Sequence, residues 1–341
     1  MSLLITGGAG FIGSNFVTRR RQQHPAERLI VLDALTYAGN LESLAGVTGF
    51  EFVHGDICDR ALLEQTLRDH AVDEIVHFAA ESHVDRSILA PGAFVQTNVV
   101  GTATLLDVAR AAKVKRFVFV STDEVYGDMG DAPPATERTP LAPRSPYSAS
   151  KAGAEHLVHA YFETYGFPTL ITRCSNNYGP YQFPEKLIPL MILTAMEGKS
   201  LPVYGDGQNV RDWIHVEDHC IAIDRVLEAG RDGEVYNIGG RSERKNLDVV
   251  KAILAATGKP ESLITFVADR LGHDRRYAID DEKLERELGV RATRVFEDGL
   301  KETVAWYVAN ARWSEHVRSG AYLDYYAQNY GNRADAKDPA K

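Results

Sequence analysis

Two carboxylates, a tyrosine and a lysine stand close together near the middle of the chain. Thr122-Asp123-Glu124 ends one predicted strand, and Tyr147-x-x-x-Lys151 follows one loop later. Tyr147 and Lys151 are four residues apart, so a helix puts both on one face. A free tyrosine has a pKa of about 10 and is a poor base at neutral pH. A neighbouring ammonium stabilises the phenolate, and each unit of depression needs about 1.4 kcal/mol of differential interaction. Such a pair suits removal of a hydroxyl proton while a hydride leaves the same carbon, with the lysine also holding a ribose. Asp123 and Glu124 add a second acid and a second base, because adjacent carboxylates at a strand mouth titrate apart. A simple dehydrogenase needs only the Tyr/Lys pair. The extra pair points to a second bond that breaks while the hydride is parked on a cofactor.

The cofactor has its own signature. Gly8-x-Gly10-x-x-Gly13, preceded by Gly7, directly follows the first predicted strand and opens a helix. Glycines there permit a tight turn, close approach to a pyrophosphate and close helix–strand packing, and the helix N-terminus faces the phosphate charge. Asp33 ends the second strand about 20 residues on, the place of a ribose ligand. Its charge would repel a 2′-phosphate, which favours NAD over NADP. Asp56, after the third strand, is either an adenine-edge contact or a turn residue.

The elements that must position these groups read as a parallel α/β sheet. Short apolar runs at 3–6, 29–32, 51–54, 74–78, 117–121 and 169–172 alternate with helical patterns at 60–69, 92–112 and 149–165. Near-continuous Val/Ile/Leu/Phe strands separated by helices imply a doubly wound, Rossmann-type sheet covered on both faces. Beyond Asn176 the loops lengthen and gain Gly, Pro and Asn, with helices predicted at 184–196, 216–228, 247–257 and 298–310. This suggests a dinucleotide-binding part over 1–175 and a smaller substrate lobe over 176–330 with segments woven back into the first sheet. The polar end, 331–341, reads as a disordered tail.

Bulk composition narrows the function. The 341 residues are 44% hydrophobic and 25% charged, as in ordinary globular proteins, and the net charge of −9 argues against nucleic acid as partner. Cys58, Cys174 and Cys220 share no metal-type spacing, and no His pair does either, so no metal is expected. An odd count of cysteines, and a first strand that leaves no room for a signal peptide, point to reduced thiols and the cytoplasm. No apolar run reaches the ~18 residues of a membrane span.

At this point the sequence resembles the extended short-chain dehydrogenase/reductase superfamily, and within it the dTDP-glucose 4,6-dehydratases, over about residues 2–310. The resemblance lies in Thr6-Gly7-Gly8-Ala9-Gly10-Phe11-Ile12-Gly13, in Leu35 to Leu41 (LTYAGNL), in Ala80 to Ser87 (AESHVDRS), in Thr122 to Gly127 (TDEVYG), and in Cys174 to Lys186 (CSNNYGPYQFPEK). Related sugar epimerases generally carry small or hydroxyl residues where this chain has Asp123 and Glu124. The resemblance implies oxidation of a glucose 4-hydroxyl by Tyr147, Lys151 and Thr122 with hydride passing to NAD. Glu124 then removes the C5 proton while Asp123 protonates the departing 6-hydroxyl, and the hydride returns to C6. Carried over by position, the NAD contacts are Gly7, Gly10, Phe11, Ile12, Gly13, Asp33, Thr36, Asp56, Ile57, Phe78, Ala79, Ala80, Thr97, Tyr147, Lys151 and Asn177. The nucleotide-sugar contacts are Ser82, Thr122, Asn176, Lys186, Leu187, Pro202, Tyr204, Arg211, Asn246, His273 and Tyr277. The fork of Arg211 suits two pyrophosphate oxygens. Members commonly form homodimers through helices matching 92–112 and 149–165.

Two departures stand out: Ala34 where the family usually has Lys, and Leu271 where it usually has Pro. The first bears on adenosine contacts and the second on a base-binding loop. Rival readings are an epimerase, a decarboxylase using Arg86 or Arg276 to hold a substrate carboxylate, and a non-catalytic NAD-sensing protein. His83 and His215 read as structural histidines.

Overall fold

The computed structural model describes residues 1–318. The expected tail at 331–341, and the last part of the expected substrate lobe, lie outside the described residues. The first six strands are β1 (Ser2–Thr6), β2 (Arg28–Asp33), β3 (Phe50–His54), β4 (Glu74–His77), β5 (Arg116–Thr122) and β6 (Thr169–Cys174). The inner strands form because each is a run of β-branched, aromatic and leucine side chains with both faces covered, while β3, at the sheet edge, is only partly buried. Leu3 and Ile5 of β1 pack into one apolar layer and Leu4 into the other. Burying such a side chain contributes about 1.5–3 kcal/mol.

The remaining strands are β7 (Asn176–Tyr178), β8 (Leu201–Tyr204), β9 (Val210–His215), β10 (Val235–Ile238), β11 (Glu243–Lys245) and β12 (Ile264–Val267). Seven strands form one sheet in the order β10-β6-β5-β4-β1-β2-β3, and all its neighbours pair in parallel. The doubly wound expectation is borne out, with β10 as an added edge strand that the sequence reading missed. The strand order reverses between β1 and β4, which opens a crevice at their carboxyl ends. Two small sheets, β11-β9-β7 and β12-β8, lie in the second part of the chain.

Helices α1 (Phe11–Gln23), α2 (Arg60–Asp69), α3 (Val84–Leu89), α4 (Pro91–Phe94), α5 (Thr102–Ala111) and α6 (Pro146–Tyr165) belong to the first half. The expected helix at 92–112 is one helical stretch interrupted by a π turn over Val95–Gly101. Such widened turns cluster at functional sites, and this one aims Asn98 inward. The Asn98 amide bonds Ser150 Oγ at 2.8 Å and the backbone of Glu81 at 2.8 and 3.0 Å. Helix α6 starts three residues before the expected 149, because Pro146 fills N1 and Ser145 forms a capping box with Ser148.

In the second half, α7 (Leu187–Met196), α8 (Val216–Ala229), α9 (Asn246–Thr257), α10 (Glu282–Leu288), α11 (Phe296–Ala309) and α12 (Ala311–Val317) follow. Met191, Ile192, Val250, Leu254, Leu300 and Val304 knit α7, α9 and α11 into a separate apolar core. Ile223 and Val226 of α8, and Leu284 of α10, instead pack with the main sheet, so the chain passes back and forth between the two parts. No helix among the described residues is long and apolar enough to cross a membrane.

Candidate active site

The glycine turn forms the floor of the cleft. Gly7 sits at φ +68°, and a Cβ there would lie 2.5 Å from the Ala79 nitrogen. A Cβ on Gly13 would meet the Gly7 carbonyl oxygen at 2.2 Å. Only glycine allows β1, the first turn of α1 and the end of β4 to come this close. Asp33 closes the neighbouring strand, and its carboxylate accepts the Ala9 N–H at 2.9 Å and the Leu35 N–H at 2.8 Å. A bare backbone cradle at a helix N-terminus, with a carboxylate at the next strand end, fits a dinucleotide. Every NAD position named from the sequence lines this cleft, together with Ser82, Asn176 and Lys186. Asp56 uses one oxygen to cap its own turn, accepting the Cys58 N–H at 2.8 Å. Ala34 also lines the cleft, so the first departure lies at the adenosine end.

The reacting groups stand across from this floor. β5 ends at Thr122, and a short 3-10 turn, Asp123–Tyr126, begins at once. Gly127 ends that turn at φ +76°, where a Cβ would strike the Ala142 carbonyl at 2.2 Å. Thr122 Oγ1 donates to Asp123 Oδ1 at 3.3 Å and accepts the Glu124 N–H at 3.3 Å. Helix α6 brings Tyr147 and Lys151 to the same wall, with the Tyr147 ring edge-on to Phe94 at 6.3 Å.

The electrostatics separate the two carboxyls. Asp123 is 2% exposed, and burial, then the charge of Glu124, raise its pKa well above the usual carboxylate range. Glu124 is also raised by burial, but Arg270, Lys186 and Arg211 draw it back toward the anion. Asp123 is therefore the partner that holds its proton more tightly and Glu124 the more readily ionised one. Burial lowers Lys151 to about 8, opposed chiefly by Glu155. Its ammonium donates to the Val120 carbonyl at 2.8 Å and lies 4.0 Å from the centre of the Phe119 ring. Tyr147 is raised well above 10 by burial, Glu124 and Cys174. The sequence reading expected the lysine to depress the tyrosine; instead desolvation dominates at Tyr147, and the ammonium points at β5.

Several expected sugar contacts lie outside the cleft wall. Leu187 starts α7, Pro202 and Tyr204 lie in β8, and Asn246 starts α9. The Tyr277 hydroxyl reaches Glu124 Oε2 at 3.5 Å and donates to Asp274 Oδ2 at 2.7 Å, while Tyr204 donates to Asp85 at 3.0 Å. Arg211 stacks 4.2 Å over the Tyr277 ring and donates to the carbonyls of Val210 and Asp274 at 2.7 and 2.9 Å. Two of its five N–H donors are thus used on backbone carbonyls, and the other three remain for a ligand. His273 pairs with Asp269 at 2.5 Å on a loop where Leu271 is exposed.

Reading the sequence alone missed Arg270, whose buried Nε makes no hydrogen bond among the described residues and whose charge acts on Glu124. It also missed Glu185, which binds Arg86 at 3.0 Å beside Lys186. No spacing signal marks either one. That ion pair, and the bidentate grip of Arg276 on Glu243 at 2.6 and 2.9 Å, give both arginines a carboxylate partner within the protein, which counts against their holding a substrate carboxylate. His83 and His215 cap α3 and α8, each with its ring nitrogen accepting a backbone N–H. Among the described residues no cluster of three or more His, Cys, Asp or Glu is arranged to hold a metal.

The GDP-mannose 4,6 dehydratase family model matches residues 4–303. A dTDP-glucose 4,6-dehydratase of Shigella flexneri is 52% identical, covering 98% of this chain and 100% of its own. The enzyme of that name from Xanthomonas campestris pv. campestris (strain B100) is 55% identical, covering 94% and 96%. The crystal structure of DesIV, a dTDP-glucose 4,6-dehydratase from Streptomyces venezuelae with NAD and TYD bound, superposes with a TM-score of 0.90. It is 54% identical and covers 93% of this chain and 100% of its own. A UDP-glucose 4-epimerase from Thermotoga maritima, with UDP-glucose, shares the fold at TM-score 0.86 and 30% identity, covering 91% and 100%. Likeness to the epimerase extends through the fold, whereas likeness to the dehydratases extends through the sequence at half identity or better: the chain belongs to the dTDP-glucose 4,6-dehydratases.

Proposed function

We propose that the protein converts dTDP-glucose to dTDP-4-dehydro-6-deoxyglucose and regenerates its NAD in each turnover. The observation that carries this reading is the placement of Asp123 and Glu124 on the turn directly after Thr122, opening on the same cleft as Tyr147 and Lys151. NAD, held by the glycine turn, Asp33 and the end of β4, supplies when bound a hydride acceptor that later becomes the donor, and a positive charge near the phenol. Tyr147 would act as the phenolate, with the charge of bound NAD and of Lys151 opposing the burial that otherwise keeps it protonated, and would take the proton of the sugar 4-hydroxyl with Thr122 beside it. A C5 proton is acidic only next to a C4 ketone, so oxidation precedes elimination. Glu124, favoured as the anion by three nearby cations, removes that proton. Asp123, which burial keeps protonated, donates to the 6-oxygen, and water leaves.

Ser82, Asn176 and Lys186 border the sugar end in this reading, and Arg270 faces Glu124 as a further cation. The division of labour falls near residue 175, with mainly cofactor contacts before it and mainly nucleotide-sugar contacts after it, Ser82, Thr122 and Asn177 crossing the line. The same reading makes the protein a cytoplasmic homodimer. Leu89, Val95 and Val100 on the stretch 84–101, with Tyr165 at the end of α6, are exposed apolar side chains suited to that contact. Elution at about twice 37.7 kDa on gel filtration is the expected result. To test the reaction, the protein is incubated with dTDP-glucose in heavy water, without added NAD. The expected product has lost one water, carries one deuteron at C5 and keeps the original C4 hydrogen at C6. Unchanged dTDP-glucose, even after NAD is added, overturns the reading.

A further inference from the structure

Behind the reacting groups lies a buried ion pair that touches neither cofactor nor sugar in the proposed reaction. Glu155 stands one helical turn beyond Lys151 on α6 and is 2% exposed; Arg173, immediately before Cys174 in β6, is 6% exposed. Arg173 Nη2 and Nε donate to one oxygen, Glu155 Oε2, at 2.6 and 2.9 Å. Its Nη1 donates to the Tyr126 hydroxyl oxygen at 2.8 Å, and the guanidinium lies 4.8 Å from the centre of the Tyr126 ring. Tyr126 is the last residue of the turn that carries Asp123 and Glu124. Its hydroxyl in turn donates to Asn237 Oδ1 on β10 at 2.8 Å, and the Asn237 amide ties down the carbonyls of Ala135 and Asp280 at 2.9 Å each. One line of hydrogen bonds thus runs from the helix of Tyr147 and Lys151 to the turn of Asp123 and Glu124.

Stability alone does not account for this arrangement. Desolvating two charges offsets most of their attraction, and apolar side chains of similar size often serve as well or better. Apolar packing covers both faces of the sheet elsewhere. What two directed N–H bonds to one carboxylate oxygen, and a third to the Tyr126 hydroxyl, add is fixed geometry.

We infer that Glu155, Arg173 and Tyr126 form a positioning unit that holds the oxidising pair, Tyr147 and Lys151, in register with the eliminating pair, Asp123 and Glu124, with the Glu155 carboxylate bound to Arg173 and standing one helical turn from Lys151 on the same helix. The electrostatics agree. Burial pulls the Lys151 ammonium down to about 8, and Glu155 is the largest opposing influence. Cys174 on β6 is the other group acting on Lys151, and the ammonium in turn depresses His77 on β4. The unit has two ends with different consequences. Loss of the Tyr126 hydroxyl frees the carboxylate turn and leaves Lys151 untouched. Loss of the Glu155 charge leaves the turn anchored to Arg173 through Tyr126 but removes the support of the ammonium.

This inference rests on the reaction proposed above, and the test separates the two. Full-length, NAD-loaded wild type, Tyr126→Phe, Glu155→Gln and Glu155→Asp are mixed with dTDP-glucose. Oxidation is followed by the near-ultraviolet absorbance of the reduced cofactor, and water loss by rapid quench and mass spectrometry. In Tyr126→Phe, water loss is expected to slow about tenfold while oxidation stays within about twofold, the scale of one buried hydrogen bond. In Glu155→Gln, the basic limb of the pH profile for oxidation is expected to move down by about one unit, with Glu155→Asp restoring it. If the variants slow both steps by one common factor in step with a fall in melting temperature, or leave the ratio of the steps and the pH profile unchanged, the unit is merely structural and the inference is overturned. Should Glu155→Gln not fold, the ratio of the two steps in Tyr126→Phe decides alone. A wild type that leaves dTDP-glucose unchanged overturns the reaction and this inference together; a wild type that converts it confines any failure to the inference.

Discussion

Around Gly7 and Gly13 the cleft is built mostly of backbone, whereas around Thr122 it is built of buried ionisable side chains. The first region recognises charge with N–H groups and a helix end, which need no tuning and carry no proton. The second must move protons, so its groups are held away from their ordinary pKa values. Asp123, Glu124 and Tyr147 are raised and Lys151 is lowered, with burial first among the causes in every case. The cofactor end tolerates little change in shape, and the chemical end tolerates little change in charge.

That contrast can be broken or sharpened by substitution. Tyr147→Phe keeps the ring against Phe94 and removes the proton carrier. Turnover of dTDP-glucose is expected to fall by about 10²–10⁴-fold with the fold intact; near wild-type turnover would move the acid–base role elsewhere. Glu124→Gln should block elimination more than oxidation, by about 10²-fold, so reduced cofactor accumulates on the protein and deuterium no longer enters C5. Gly13→Val puts a Cβ 2.2 Å from the Gly7 carbonyl, so the purified protein should lack NAD and be less stable by about 1–3 kcal/mol in denaturant titration. Retention of NAD by this variant would remove the claim that shape rules the cofactor end.

Two smaller effects refine the comparison. Asp33→Asn keeps the side-chain outline but weakens the charged acceptor of the Ala9 and Leu35 N–H groups. NAD affinity measured by calorimetry is expected to drop about tenfold, with the chemical steps unchanged once NAD saturates. The last concerns acid stability. His77 bridges Thr6 and Thr102 at 2.6 and 3.0 Å, and burial lowers it from 6.5 to about 3. The unfolded chain therefore binds a proton that the folded one refuses. This contribution to stability is complete above pH 6.5 and is lost as pH falls toward 3, by up to about 1.4 kcal/mol per unit. His219, also lowered to about 3 by burial, pulls the same way. In His77→Gln, stability measured by urea titration should fall less steeply between pH 6.5 and 4.5; an identical slope would exclude His77 as a cause.

Much of this architecture is written locally. The apolar runs at 29–32 and 169–172 become β2 and β6 with only their ends extended, because a strand buried on both faces admits little but branched and aromatic side chains. The start of α6 was written too, in Ser145-Pro146, although periodicity alone placed it later. The short strands β7, β8, β10, β11 and β12 were not legible, because three or four residues carry no period and pair with strands far away in the chain. The π turn at Val95–Gly101 was equally hidden: its Val, Thr, Asn and Gly residues weaken an α-helix, but nothing local says that the helix widens rather than breaks.

The sequence by itself determined the glycine turn, the strand-end Asp33, and the grouping of Asp123, Glu124, Tyr147 and Lys151 around one cleft. In each case backbone geometry or helical spacing dictates the residue type or its neighbour. Only the tertiary structure decided that burial pushes Asp123 toward its protonated form while Arg270, Lys186 and Arg211 draw Glu124 toward the anion. It also decided that Arg211 is braced by the carbonyls of Val210 and Asp274, and that Arg173 joins α6 to the carboxylate turn. Desolvation and charge depend on which distant segments fold against a group, and no local pattern encodes that.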